Sequence, residues 1–281
     1  MLSFPNSKIN IGLNIVEKRS DGFHNIETIF YPLRLCDLLE VVENKDTEIR
    51  EQVQFVQTGI PVDCPAEKNL CLRAYSLLQK DFDLPAVKMH LHKIVPFGAG
   101  LGGGSSDAAF TLKAINELFN LNLPVERLKQ YATQLGSDCA FFVEGFPAYA
   151  QGKGELLKTV PYRLAGYHLV VVKPDIPVNT AGAYAGIIPH KPEKSLHELF
   201  YHPVEEWKQN VANDFEENIF KQFPEIKVIK NKLYESGAIY AAMSGSGSSV
   251  YGIFESAVEN IDQAFPGCFL WKERSGFISE E

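Results

Sequence analysis

The chain has 281 residues, 45% of them hydrophobic, with a formal net charge of −8 and an isoelectric point near 5.5. That length fits one large domain or two sharing an interface, and the apolar content fills a core without a disulfide or metal staple. The acidic balance, with no basic run, excludes a nucleic-acid footprint, and no stretch of about 18 apolar residues offers a membrane span.

Ile9, Ile11, Leu13 and Ile15 alternate with Lys8, Asn10, Gly12 and Asn14, which predicts a half-buried strand. Lys8 and Asn10 fall on the face opposite the apolar set, where a lysine at a strand end is ordinarily solvated. A turn at Ser20-Asp21-Gly22 returns the chain as a strand over residues 23–31. Further strands are expected at 38–43, 53–56 and 87–94, with a helix over 69–79. His90 and His92 alternate on the 87–94 strand and, with no third ligand in view, read as surface histidines.

The segment Pro96-Phe97-Gly98-Ala99-Gly100-Leu101-Gly102-Gly103-Gly104-Ser105-Ser106-Asp107 carries five glycines in seven positions and leads into a helical stripe of Ala108, Leu112, Ile115 and Phe119. Glycine tolerates φ > 0 and removes the Cβ, so amides can approach a bound group closely. A side chain at Gly103 is expected to fail on both counts. Ser105, Ser106 and Asp107 are good helix caps, predicting a helix from 106 to 120. A glycine loop feeding a helix N-terminus suits a phosphate. Gly98, Gly100 and Gly103 satisfy G-x-G-x-x-G, but no acidic strand end follows as a dinucleotide fold requires, and no Gly-Lys-Ser/Thr closes a P-loop. The loop reads as a third kind of phosphate cradle.

A helix over 124–135 ends at Gly136, and Asp138 then stands before an apolar segment read as a strand. Past a boundary near 160, strands at 167–172, 238–243, 250–254 and 268–272, with helices ending at Ser236-Gly237 and starting at Ala257, give a β-α-β-β-α-β order. Five cysteines, at 36, 64, 71, 139 and 268, lack a C-x-x-C pair, as in reduced thiols. With no leader pattern at the start, a cytoplasmic protein is expected.

Lys-Ile-Asn-Ile-Gly-Leu at 8–13, Arg-Ser-Asp-Gly-Phe-His at 19–24, the glycine loop, Gly-Ser-Asp at 136–138 and Met-Ser-Gly-Ser-Gly-Ser at 243–248 together resemble the GHMP kinase superfamily. Within it they are most similar to the branch that phosphorylates the 2-hydroxyl of 4-diphosphocytidyl-2-C-methyl-D-erythritol, on the non-mevalonate route to isoprenoid precursors. The resemblance implies an α+β, two-domain GHMP kinase fold: an N-terminal ribosomal-protein-S5-like ATP-binding domain (1–160) and a C-terminal ferredoxin-like domain (161–281). It implies ATP and Mg²⁺, with Pro96, Phe97, Gly98, Ala99, Gly100, Leu101, Gly102, Gly103, Gly104, Ser105 and Ser106 at the phosphates and Asn69 near the adenosine. Lys8 and Asp138 would be catalytic, and Asn10, Phe23, His24 and Tyr184 would meet the substrate, Tyr184 by stacking on cytosine. The Ser-Gly-Ser-Gly stretch at 244–247 would pack beside the phosphates. Ser106 is a candidate Mg²⁺ ligand, though the metal's protein ligands and the oligomeric state stay open. Two departures stand out: Ser137 where the family has alanine, and Phe23 where it has tyrosine, which removes a hydroxyl but not a ring. The rivals are a homoserine or mevalonate kinase, against which the Arg-Ser-Asp-Gly-Phe-His turn and Tyr184 argue, and a nucleotide sensor without catalysis, against which Lys8 and Asp138 argue.

Overall fold

The computed structural model describes residues 1–46, 51–62 and 64–276. Its strands, in chain order, are β1 (Leu2–Ser3), β2 (Asn6–Lys18), β3 (His24–Cys36), β4 (Leu38–Glu43), β5 (Val53–Gly59), β6 (Val87–Lys93), β7 (Ala148–Gln151), β8 (Leu156–Thr159), β9 (His168–Lys173), β10 (Tyr240–Met243), β11 (Val250–Phe254) and β12 (Phe269–Arg274). Its helices are α1 (Leu70–Gln79), α2 (Gly103–Leu118), α3 (Val125–Leu135), α4 (Phe141–Glu144), α5 (Thr180–Ala183), α6 (Leu196–Leu199), α7 (Val204–Asn210), α8 (Phe215–Gln222) and α9 (Pro224–Glu235). The chain divides into two compact units: Met1–Ser7 with Leu35–Phe97 and Gly102–Phe146, and Lys8–Arg34 with Gly98–Leu101 and the chain from Pro147 onward.

In the first unit the sheet order is β1-β4-β6-β5, with β5 parallel to β6 and the other pairs antiparallel. Val87, Met89, Leu91 and Lys93 of β6 point inward and are buried, as are Leu39 and Val41 of β4. Such side chains contribute about 1.5–3 kcal/mol each when fully buried, which is what holds the packed α1, α2 and α3 together with this sheet. His90 and His92 alternate outward, both within 2.8 Å of the Thr58 hydroxyl.

The second unit holds two antiparallel sheets, β2-β3-β7-β8 and β10-β11-β9-β12. The latter is the split βαβ order expected from the sequence. Ile219, Ile226, Ile229 and Leu233 of α8 and α9 pack against Val170, Val172, Ala241, Met243 and Val250.

Several expectations are corrected. β2 is buried on both faces: Lys8 and Asn10 are each 2% exposed, because residues 98–101 and Ser244 cover the polar side. The returning strand starts at His24 and leaves Phe23 exposed in the turn. The helix after the glycine loop begins at Gly103 with Gly102 as cap, so Ser105, Ser106 and Asp107 lie inside it rather than capping it. Residues 141–144 form a helical turn, not a strand. In place of a helix from Ala257 there is only a 3₁₀ turn at Ile261–Ala264. The short helices α5 to α8 carried no long periodic stripe and went unforeseen.

Lys93 is the inward residue at which β6 ends, and a buried ammonium needs partners. It donates to Asp37 and, at 2.7 Å, to Asp107 of α2. Asp37 also accepts from the Ile94 and Val95 amides, the two residues that enter the glycine loop. One buried cluster thus joins the end of β6 to the first turns of α2. Burial works against the Lys93 charge, but Asp107 and Asp37 outweigh it and hold its pKa above the ordinary lysine value. Burial pushes the Asp107 carboxyl up to about 7, with Asp37 adding to the rise and Lys93 opposing it. Asp107 therefore takes up a proton on folding. Its contribution to stability is complete below the unfolded value of 3.8 and is lost as pH rises through about 7. Urea unfolding between pH 4 and 8 is expected to show stability falling across this window, and Asp107→Asn is expected to remove that part of the slope. An unchanged slope in the variant would place the proton elsewhere.

Candidate active site

The glycine loop is held from behind. In the second unit, the Ala99 carbonyl accepts from Ser249 N at 3.2 Å and the Leu101 carbonyl from Lys8 N at 2.9 Å. The Gly100 carbonyl accepts from Ser244 Oγ at 2.8 Å and Lys8 Nζ at 3.1 Å. The backbone amides of residues 98 to 105, by contrast, donate to no protein acceptor among the described residues. Amides of this kind pair with a ligand or with water. At the end of the loop, α2 offers the partial positive charge of its first turn.

The glycines serve different ends. Gly100 has φ +75°, and a Cβ there would sit 2.0 Å from the Ser244 carbonyl oxygen. Gly103 is helical, so its φ does not demand glycine, contrary to the sequence reading. A Cβ there would instead stand 3.0 Å from Val95 and 3.3 Å from Lys93 Nζ.

Lys8 lies in the second unit. Its ammonium donates to Asn10 Oδ1 and lies 5.1 Å from the centre of the Phe30 ring. Asn213, buried and unforeseen, donates to the Met243 and Gly245 carbonyls at 2.8 Å each, which fixes the start of the 244–247 loop. His24 and Tyr184 stack on one another, centroids 4.7 Å apart and planes 13° apart, and Tyr184 sets its edge to Phe215 at 4.8 Å. Burial first, and then Lys18, lowers the His24 pKa, which keeps the ring neutral near pH 7. The exposed Phe23 ring lies 4.9 Å from Lys153 Nζ, a cation the sequence reading passed over.

In the first unit, Asp138 is half-buried in the turn after α3, where Phe141 N bonds its carbonyl. That turn abuts the start of α2: a Cβ on Gly136 would lie 3.2 Å from Cys139 Sγ and 3.9 Å from Ser105 Oγ. Gly136 itself has φ 179°, an extended conformation open to any residue. Asn69 caps α1, its Oδ1 accepting from Cys71 N at 2.9 Å and from Leu72 N at 3.4 Å. Pro96 is buried and Phe97 is 59% exposed. Ser106 Oγ and Asp107 Oδ1 are buried without a hydrogen-bond partner among the described residues. A lone hydroxyl oxygen at this position has the donor chemistry of a hard cation such as Mg²⁺.

Residues 69–146 match the GHMP kinases N terminal domain and residues 195–269 the GHMP kinases C terminal domain. A protein of Parabacteroides distasonis named 4-diphosphocytidyl-2-C-methyl-D-erythritol kinase is 49% identical over 97% of this chain and 98% of its own. One of Bacteroides fragilis with the same name is 50% identical over 96% and 98%. A crystal structure of 4-(cytidine 5'-diphospho)-2C-methyl-D-erythritol kinase superposes with a TM-score of 0.81 at 30% identity, covering 98% of this chain and 100% of that one.

Two alanine substitutions separate conformational strain from contact. Gly98 has φ +61° with open space beyond it, so Gly98→Ala is expected to cost only the left-handed strain, about 1–2 kcal/mol. Gly100→Ala adds a clash with fixed backbone and is expected to lower the melting temperature distinctly further. Equal melting temperatures would contradict the contact with Ser244.

Proposed function

The chain belongs to the GHMP kinase family, in the branch of the 4-diphosphocytidyl-2-C-methyl-D-erythritol kinases, and we propose that it transfers the γ-phosphoryl group of ATP to that compound's 2-hydroxyl. The observation that carries this reading is the run of unpartnered amides from 98 to 105, ending at the N-terminus of α2. It suits a triphosphate, and the relatives' shared name supplies the acceptor. The two family segments fall on either side of residue 160, which supports an ATP-binding domain over 1–160 and a second domain over 161–281.

The acceptor oxygen attacks the γ-phosphorus, the bond to the β-bridging oxygen breaks, and ADP leaves with that electron pair. The hydroxyl proton passes to the Asp138 carboxylate, or is aligned by it. Catalysis of this kind is mostly placement and charge neutralisation. The loop amides of Gly98 to Ser105 bind the phosphate oxygens, and the Lys8 ammonium binds charge that grows on them during transfer. Ser106 Oγ would help to hold Mg²⁺, which would supply further charge neutralisation at the phosphates. Leu70, the residue after Asn69, reaches the start of α2, where a Cβ on Gly104 would lie 4.0 Å from its side chain, and this supports a place for Asn69 near the nucleoside.

Cytosine offers a face to stack and an edge to read. Tyr184 supplies an aromatic surface, the neutral His24 ring has one N–H and one lone pair for the edge, and Phe23 with Lys153 flanks them. Asn10, two residues along β2 from Lys8 and bonded to its ammonium, is assigned with it to the substrate side of the site. The five cysteines are joined in no disulfide among the described residues, which supports a cytoplasmic enzyme. No helix among the described residues is long and apolar enough to cross a membrane.

An ADP-release assay with Mg-ATP is expected to give turnover on the cytidyl acceptor and negligible turnover on homoserine or mevalonate. The reverse result would move the chain to another branch of the family. Asp138→Asn is expected to slow the chemical step about 10²–10⁴-fold with both substrates still bound. Lys8→Met should cost a comparable factor. Loss of the ring in Tyr184→Ala should weaken acceptor binding roughly 5- to 150-fold, whereas Tyr184→Phe should change it little. Normal acceptor binding by Tyr184→Ala with early melting would make Tyr184 a core residue only.

A further inference from the structure

Resting on the role given to Lys8, we propose that Thr28 of β3 is a positioning residue for the transfer, fixing through Asn10 the direction in which the Lys8 ammonium points. The argument is one of hydrogen-bond polarity. Thr28 is wholly buried, and its hydroxyl oxygen lies 2.6 Å from the Gly12 carbonyl and 3.0 Å from Asn10 Nδ2. A carbonyl can only accept, so the single hydroxyl proton of Thr28 goes to Gly12. Only lone pairs then remain for Asn10, whose side chain must present its NH₂ to Thr28. The amide carbonyl is thereby turned to Lys8, whose ammonium can only donate.

Every link runs one way: Lys8 to Asn10, Asn10 to Thr28, Thr28 to Gly12. Flipping the amide would set an NH₂ against the ammonium and leave the Thr28 oxygen facing a second acceptor. The remaining bonds at Asn10, from its amide to Ser244 Oγ and to its carbonyl from Tyr251 Oη, hold the backbone and not the side-chain amide. Thr28 thus supplies the matching constraint at the other end of the amide, pinning Asn10 in the one orientation that serves Lys8. Asn10 and the Gly100 carbonyl both accept from the ammonium. Without the Thr28 hydroxyl, the buried Asn10 NH₂ loses its acceptor, and the amide is no longer pinned where the ammonium meets it.

Thr28→Val keeps shape and β-branching but removes the hydroxyl, and Thr28→Ser keeps the hydroxyl. Thr28→Val is expected to lower kcat about 10- to 100-fold, the scale of a lost hydrogen bond to a charged group, with KM for ATP and acceptor within about 3-fold. Thr28→Ser should recover most of that rate, and Thr28→Ala should behave as the valine variant if valine folds poorly. In a Lys8→Met background, Thr28→Val should cost nothing more, since its effect passes through Lys8. If Lys8→Met is slow and the two losses multiply, or if Thr28→Val and Thr28→Ala keep the native kcat, the positioning role is wrong. If Lys8→Met itself keeps the native rate, the role of Lys8 is wrong, and the proposal falls with it.

Discussion

A loop can turn a run of backbone amides toward an anion only if its carbonyls are held by something else. That constraint organises much of this molecule. The carbonyls of Ala99, Gly100 and Leu101 are each taken by a donor in the second unit, from Ser249, Ser244 and Lys8. The stems of the loop are fixed in the first unit, where Asp37 bonds the amides just before Pro96 and Asp107 meets Lys93 inside α2. A hydrogen bond to a fixed carbonyl contributes only about 0.5–1.5 kcal/mol net. The gain lies in geometry: an amide that does not have to reorganise binds charge at little further cost.

The buried cluster beneath the loop follows from the same need. An ammonium next to an anion site attracts the ligand, but a buried one is tolerated only with its charge answered. Asp37 answers it and at the same time fixes backbone. Asp107 adds a second carboxyl that burial keeps largely protonated up to about pH 7, so the cluster stays close to neutral under a site for polyanions. Gly103 is the seam between cluster and loop, since any side chain there would meet Lys93 and Val95.

Local patterns in the sequence revealed the elements that have strong periodicity or strong punctuation. The alternation in β2, the strand at 38–43, the stripe of α2 and the stop at Ser236-Gly237 were all legible because each rests on neighbours in sequence. What stayed hidden depends on residues far apart. β2 looked half-buried because nothing near residue 8 says that residues 98–101 and 244 cover its polar face. Lys93 carried no signal of its own within the strand expected at 87–94, because its partners are 56 and 14 positions away. Asn213 sits in a segment with no motif, yet its side chain closes three backbone groups of the second unit. Thr28, a β-branched residue in a strand, has the composition of ordinary core; only the direction of its hydrogen bonds sets it apart.

The net charge of −8 is at first sight a poor match for a protein whose two small-molecule ligands are themselves polyanions. The structure removes the conflict by making the attraction local. Amides and a helix terminus act over a few ångströms, within one Debye length, so the total charge of the chain does not set the field beside the loop. Lys8 adds a full charge, and burial strengthens it by excluding water from around it. The same burial would be prohibitive for a lysine with no acceptors; Asn10 and the Gly100 carbonyl both accept from Lys8, and Thr28 holds Asn10 in turn.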